Sequence, residues 1–262
     1  MSVVSTEKQQ EKVKEFALGL GVDDVGVALA ADYESPRSPD LKSVFPGVES
    51  LIVMAYKELA SCDSENMQIA MNGRLDLMEF TRSCNFKLAK FLDREFGAKA
   101  MTVPISYPLP MERETRGAVA DVSIRHAALA AGLGNFGRNN LILHPQFGSR
   151  VIFSMVLTDL RISGDPPVVD RLCTDCDECV ESCPGGALDE EGRTDVIKCL
   201  KNSQPYGIAA NIKFWMKYAG ATPEDRQAML IDEHYWRLYQ AASIGFQYFC
   251  FNCFKNCPIG QD

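Results

Sequence analysis

The spacing of apolar residues changes period several times along the first 165 positions. From Thr6, Val13, Phe16, Ala17 and Leu20 fall on one face of a helix, behind a Thr6-x-x-Gln9 capping box and closed by Gly21. "DVGVALA" and residues 50–56, "SLIVMAY", are short β-type runs, the second announced by the turn "FPG". A helical period then holds from about Met67 to Phe96, with Leu75, Met78, Leu88, Phe91 and Leu92 among its apolar positions. "AMTVPIS" predicts a strand, residues 123–131 "SIRHAALAA" a helix, and "NLIL" and "RVIFSMVLTDL" two further strands. Residues 1–165 therefore read as one α/β or α+β domain.

Residues 163–170, "SGDPPVVD", have the composition of a linker. Beyond them, residues 166–262 form a second unit, interrupted at about 201–249 by a helical, aromatic insertion. Thr222-Pro223-Glu224-Asp225 has the chemistry of a helix start within it. The insertion reads first as a hydrophobic cover. The alternative makes it a wall of a substrate pocket built from Trp215, Tyr235 or Trp236.

Composition narrows the class. A 262-residue chain with 46% hydrophobic residues suffices for one substantial core with a small appendage. A net charge of −8 argues against binding a nucleic-acid backbone, which is normally met by a basic surface. The N-terminal stretch carries no apolar signal-peptide region, and no apolar run reaches the roughly 20 residues a membrane span needs. The expectation is a cytoplasmic protein with no membrane partner, a homodimer being compatible with it.

Ten cysteines in a reducing compartment point to metal or redox use rather than disulfides. Cys62 and Cys84 stand alone and read as free thiols; the other eight lie between Cys173 and Cys257. "CTDCDECVESCP" spaces Cys173, Cys176, Cys179 and Cys183-Pro184 as the bacterial ferredoxin run, in which three thiolates hold one 4Fe–4S cluster and the fourth reaches another. A four-thiolate zinc site is the alternative, although zinc motifs usually come as two separated CxxC pairs. "CFNCFKNCP" repeats the last three members of the run as Cys250, Cys253 and Cys257-Pro258, with Cys199 as the displaced first member. Pseudo-symmetry then assigns Cys173, Cys176, Cys179 and Cys257 to one cluster, and Cys183, Cys199, Cys250 and Cys253 to a second.

"AAGLGNFGRNNLIL" contains Gly132-x-Gly134-x-x-Gly137, on paper a dinucleotide fingerprint. That fingerprint needs a strand before the glycines and a helix after them. Here an Ala-rich helix precedes and a strand follows, so the glycines read as a left-handed helix terminus and a place of close backbone approach.

Two clusters form a short wire, and a wire needs a terminus in the first domain. "LGVDDVGVALA", "FPGVESLIVMAY", "AGLGNFGRNNLILHPQFGSRVIFSMVLTDL" and the two cysteine runs resemble, in order, the blocks of the epoxyqueuosine reductases and corrinoid iron–sulfur reductive dehalogenases. The resemblance implies an α+β chain: a nitroreductase-like α/β domain holding a base-off cobalamin, followed by a double-cluster ferredoxin-like domain. Nothing resembles the D-x-H-x-x-G cobalamin motif, in keeping with a cobalt that lacks a histidine lower ligand. The glycine block would pack against the corrinoid, making Gly132, Leu133, Gly134, Gly137, Asn139, Asn140 and the nearby His126 its contacts. FMN on the same type of fold is the alternative cofactor.

A reductive step on a small organic molecule or modified nucleoside needs a proton donor and a group to steady developing negative charge. Arg138 matches the Arg or Lys of the family block, Tyr107 in "ISYPLP" is a candidate donor, and Asp121 lies near the position of the family's aspartate, offset by a few residues. His144 and His234 read as structural. The electrons would come from an external low-potential ferredoxin or flavodoxin. A second class of function is also consistent with the residues: an electron carrier that reactivates another protein's corrinoid.

Overall fold

The computed structural model describes residues 5–105, 108–110, 119–190, 192–245 and 248–261. Its centre is a four-stranded sheet in the order β1 (Asp24–Leu29), β2 (Ser50–Lys57), β6 (Val151–Thr158), β3 (Ala100–Thr102). Every pairing in it is antiparallel, which places the fold in the α+β rather than the α/β class. β2 pairs with β6 over its whole length, Ser50 opposite Thr158 and Lys57 opposite Val151.

The near-continuous apolar run of β2 follows from burial on both faces, the pattern usual for a covered central strand. Leu51, Val53 and Ala55 pack with Phe153, Met155 and Leu157 beneath α4 (Ile124–Ala130), beside Ala127, Ala128 and Ala131. Ile52, Met54 and Tyr56 face the other way, onto Val13 and Ala17 of α1 (Thr6–Gly19) and Leu88 and Leu92 of α3 (Met67–Phe96). The Tyr56 hydroxyl reaches Ser154 Oγ at 2.9 Å and Ser154 donates to Asn85 Oδ1 at 2.6 Å, so the polar atoms of this core are paired.

Helix α3 has the expected limits: Asn66 Oδ1 caps its start and Gly97, at φ 64°, ends it. At α1 the cap falls one residue earlier than the sequence suggests. Ser5, not Thr6, accepts from Lys8 N–H, and Leu20 caps the end. The strand expected over "AMTVPIS" is short, because Pro104 has no N–H to continue the pairing after Val103 donates to Met155. The chain also contains the short helix α2 (Leu41–Val44) and, after α4, a two-residue hairpin of β4 (Asn135–Phe136) and β5 (Ile142–Leu143).

The stretch read as a linker is anchored. Asp165 accepts from Val27 N–H at 2.7 Å, Lys14 Nζ at 2.6 Å and Gln10 Nε2 at 3.1 Å. Past it come α5 (Glu178–Glu181), α6 (Val196–Ser203), α7 (Ile208–Ala219), α8 (Pro223–Ile231), α9 (Glu233–Ile244) and α10 (Asn252–Lys255). Thr222 caps α8 by accepting from Asp225 N–H at 3.1 Å, with Pro223 in its first turn. No helix among the described residues is long and apolar enough to cross a membrane.

One partly buried contact makes stability depend on pH. His144, stacked on Phe147, meets Asp24 Oδ2 at 3.0 Å, and this contact holds the Asp24 carboxyl below its ordinary value against the opposing effect of burial. A carboxylate with a depressed folded pKa adds stability that is present above the unfolded value and lost as pH falls through the folded one. Urea midpoints measured from pH 6 downward should therefore fall from about pH 4 in the parent, where aspartate begins to protonate. Asp24→Asn should lower the neutral-pH midpoint and flatten that acid limb.

Candidate functional site

The glycine-rich block after α4 is a seam between the sheet-bearing half of the chain and the cysteine-bearing half. Asn135 Nδ2 donates to the Asp170 carbonyl at 2.7 Å, and its Oδ1 accepts from Leu172 N–H at 3.2 Å. Arg138 N–H donates to Cys173 Sγ at 3.3 Å, and Arg138 Nε to Asp177 at 3.2 Å. Asn139 Nδ2 donates to the Cys253 carbonyl at 3.2 Å, and Asn140 Nδ2 to Thr194 Oγ1 at 3.2 Å. Asn140 tolerates the positive φ of 59° that this turn requires. Farther on, Ser149 Oγ donates to the Phe254 carbonyl (3.0 Å), and Arg150 donates to the carbonyls of Lys255 (2.7 Å) and Cys257 (3.3 Å).

These grips bring the thiols together in two sets. Cys173, Cys176, Cys179 and Cys257 line one small cavity with Arg138, Asn139 and Asp177. Burial, then the neighbouring sulfurs of Cys257, Cys173 and Cys176, push the Cys179 thiol up to about 11. Cys183, Cys199, Cys250 and Cys253 line a second, much larger cavity. There burial pushes Cys253 up to about 12, with Cys250, Cys199, Cys179 and Cys183 adding to the shift. Among the described residues no three His, Cys, Asp or Glu side chains converge on a single-ion position. Each thiol set instead rings a space.

The fit to iron–sulfur clusters can be tested on the polar atoms around the thiols. Arg138 Nη1 is buried without a hydrogen-bond partner at the first set. A buried cationic donor without a partner suits an anionic group, and a thiolate-ligated cubane is one. Backbone N–H groups also point at sulfur, Arg138 at Cys173 and Ala187 at Cys183, each at 3.3 Å, as suits thiolate charge. Soft thiolates in this number and spacing fit two clusters.

The larger cavity is also where the two halves meet. It measures about 1920 Å³ and is bordered by Arg37, Arg125, His126, Phe136, Asn139 and Asn140 from the front half, opposite the second thiol set. Small-ligand sites usually occupy about 300–1,000 Å³, so this one has room for a large planar cofactor together with a substrate. Ser123 Oγ, the cap of α4, lies 2.8 Å from His126 Nδ1 and fixes the ring. Burial, and then Arg125, hold His126 below its ordinary pKa, favouring the neutral imidazole. Arg125 donates to the Asn140 carbonyl at 2.6 Å. Its side chain is accessible from inside the cavity yet surrounded by protein, and that desolvation, with Arg37 nearby, lowers its pKa.

Of the residues expected to contact a corrinoid, His126, Gly137, Asn139 and Asn140 border this cavity; Gly132, Leu133 and Gly134 do not. Leu133 belongs to the core beneath α4. Gly132 does end a helix in the left-handed region, at φ 71°, but the close approach it permits is to the Pro166 carbonyl. Gly134 likewise faces the Leu143 carbonyl. Gly132 and Gly134 thus let one stretch of backbone approach another closely.

Arg138 lies against the first thiol set and outside the large cavity's lining, because its backbone and Nε are both committed to the Cys173 loop. Asp121 is exposed and outside that lining. Tyr107 lies outside the described residues. Trp215, Tyr235 and Trp236 form no wall of the cavity: Trp215 and Tyr235 pack with Phe214 and Tyr218, and Trp236 is half exposed. Instead Tyr248, just after the insertion's helices, borders the cavity, as do Arg37 and Arg74, none of which the sequence singled out. A signal for Arg74 existed: it occupies the buried stripe of α3, in step with Ala70, Leu77 and Thr81.

No family model matches the chain. Among curated proteins, the epoxyqueuosine reductase of Bacillus cereus is 24% identical over 216 residues, covering 74% of this chain and 56% of its own length. The chain thus spans little more than half of that relative. Among solved structures, an epoxyqueuosine reductase with an epoxyqueuosine-modified tRNA-Tyr stem loop is 19% identical, with a TM-score of 0.60 over 97% of this chain and 66% of its own. A reductive dehalogenase described as B12-dependent is 19% identical, with a TM-score of 0.58 over 98% of this chain and 38% of its own. The resemblance drawn from the motifs holds in both sequence and fold. The expectation that no nucleic acid is a partner does not: a protein of the same fold is seen with a tRNA stem loop, so the net charge of −8 carries no exclusion. A stem loop is met by a local surface, which a whole-chain charge does not describe.

Proposed function

We propose that the protein is a cobalamin-dependent iron–sulfur reductase whose substrate is a modified nucleoside presented in an RNA stem loop, or a small organic molecule of similar size. The carrying observation is that Cys183, Cys199, Cys250 and Cys253 border the same cavity as His126, Asn139 and Asn140. A redox group in that cavity would adjoin the second cluster with no further relay between them.

Cys173, Cys176, Cys179 and Cys257 would hold the first cluster, and Cys183, Cys199, Cys250 and Cys253 the second. When bound, the clusters supply one-electron relay and the base-off corrinoid supplies a strongly reducing cobalt. The chain's own residues do the positioning. Asn139 ties the cavity wall to the Cys253 turn, and Ser123 fixes the His126 ring. Arg125 and Arg37 present positive charge to the cavity, which suits a phosphate of the RNA or of the cofactor. Asp121 would contribute only after moving from its exposed position. An external ferredoxin or flavodoxin would reduce the first cluster, whose Cys176 is exposed.

Protein purified without oxygen is expected to contain about eight iron and eight sulfide and near-stoichiometric cobalt per chain, and to bind a modified stem loop more tightly than an unmodified one. Stoichiometric FMN without cobalt would redirect the reading to a flavin oxidoreductase. A colourless protein with zinc and no iron would overturn it. A corrinoid with no substrate turnover, but with reduction of a second corrinoid protein, would favour the relay role.

A further inference from the structure

We propose that Arg74 tunes the second cluster: its buried guanidinium sets that cluster's reduction potential, and Glu58 behind it limits how much of the positive charge is felt. This rests on reading Cys183, Cys199, Cys250 and Cys253 as cluster ligands.

Arg74 reaches from α3 to the cavity that those four thiols line. Its guanidinium carbon lies 5.2 Å from the ring centre of Phe251 and 4.9 Å from that of Phe254, the buried rings on either side of Cys253 in sequence. The charge is thereby pressed against the turn that presents Cys250 and Cys253. Its counter-ion, Glu58, follows β2 directly; the side chains are 13% and 1% exposed.

The pair is poorly explained as a fold-stabilising contact. Arg74 Nη2 and Glu58 Oε1 are paired directly, but Nε of Arg74, Oε2 of Glu58 and Ser61 Oγ are buried without a hydrogen-bond partner. A buried ion pair lacking those bonds recovers little of its desolvation cost, and two apolar side chains would pack the site at least as well. What apolar side chains would not supply is fixed charge against the turn that carries Cys250 and Cys253, in a medium that screens it weakly. Arg150 and Lys255 hold the same loop differently, through the carbonyls of Lys255, Cys257 and Ser64, with the more exposed Asp63 and Glu65 as partners. Arg74 differs from both in that its Nε is buried with no carbonyl of the loop to bond.

Adding an electron makes a cluster more negative, so a nearby cation favours the reduced form and raises the potential; net charge around a cluster is one of the determinants of that quantity. Removing Arg74 should lower the second cluster's potential, and neutralising Glu58 should raise it. A merely structural pair would not give opposite signs.

The test is a potentiometric titration of the loaded full-length protein, followed by electron paramagnetic resonance. Arg74→Met is expected to cut the reduced-to-oxidised ratio of the second cluster at fixed potential by tenfold or more, a shift of at least 59 mV downward for one electron. Glu58→Gln should shift it upward, and Arg74→Lys should retain most of the parent value. The first cluster should stay within twofold in all three. Both Met and Gln variants within twofold of the parent, or shifted in the same direction, would overturn the proposal. Should Arg74→Met fail to fold, the sign of the Glu58→Gln shift decides. Protein without iron and sulfide overturns the cluster assignment itself, and that is apparent before any titration.

Discussion

Replacing Cys257 by serine is expected to abolish the same cluster that is lost on replacing Cys173, leaving about four iron atoms per chain and the second cluster's signal intact. The two residues stand 84 positions apart, yet Cys257 lines the cavity of Cys173, Cys176 and Cys179, while its sequence neighbour Cys253 lines that of Cys183, Cys199 and Cys250. The reciprocal pair, Cys183→Ser and Cys250→Ser, should leave the first signal and remove the second. Iron and sulfide analysis with low-temperature electron paramagnetic resonance on the four variants reads this out. Loss of one common signal from Cys250→Ser and Cys257→Ser, and a different one from Cys173→Ser, would break the crossed pairing. The Cys173 and Cys257 variants should also lose electron entry from an external donor, a fall in turnover of at least tenfold if the first cluster is the entry point.

Gly134→Ala should destabilise the protein by about 2–5 kcal/mol, combining the cost of a disallowed backbone with that of overpacking. Gly134 has φ 148°, and a Cβ there would stand 2.0 Å from the Leu143 carbonyl oxygen, a backbone atom of the paired hairpin strand. Neither can move alone, because Leu143 is wholly buried in the core and Asn135 beside Gly134 grips Asp170 and Leu172. Gly97→Ala is the control. Its φ of 64° is also left-handed, but nothing lies within 4 Å of a Cβ there, so only the conformational cost of about 1–2 kcal/mol applies. Urea unfolding of both variants should separate them by at least about 1 kcal/mol. Equal losses would mean that the hairpin yields and that the close approach is not a constraint.

The elements with strong periods were legible. β2 and α3 are found where the apolar spacing puts them because both are set by local rules: burial on two faces for one, a helical stripe with a capping asparagine and a closing glycine for the other. The cysteines that line each cavity, Cys199 included, are those that the spacing of the two runs groups together. The role of the glycine block was not. Asn135, Arg138 and Asn139 look alike as loop residues, and no local rule tells which of two facing surfaces a loop side chain will grip. The cavity was hidden for the same reason. It is assembled from Arg37, Arg74, Arg125 and Tyr248, residues brought together only by the packing of the sheet-bearing half on the cysteine-bearing half. The insertion misled in a further way: aromatic richness signals packing, but its rings pack on one another.

The fastening of the Cys253–Cys257 turn to Ser149 and Arg150 has a bearing on how the protein matures. Both residues directly precede β6, the strand that β2 and β3 flank, so the sheet positions the groups that hold the turn. On the proposed reading of the thiols as cluster ligands, a scaffold donating preassembled iron and sulfide would find no complete receptacle until the turn that closes both sets is in place. Loading would then serve as a checkpoint, marking molecules whose front half has already reached its native state.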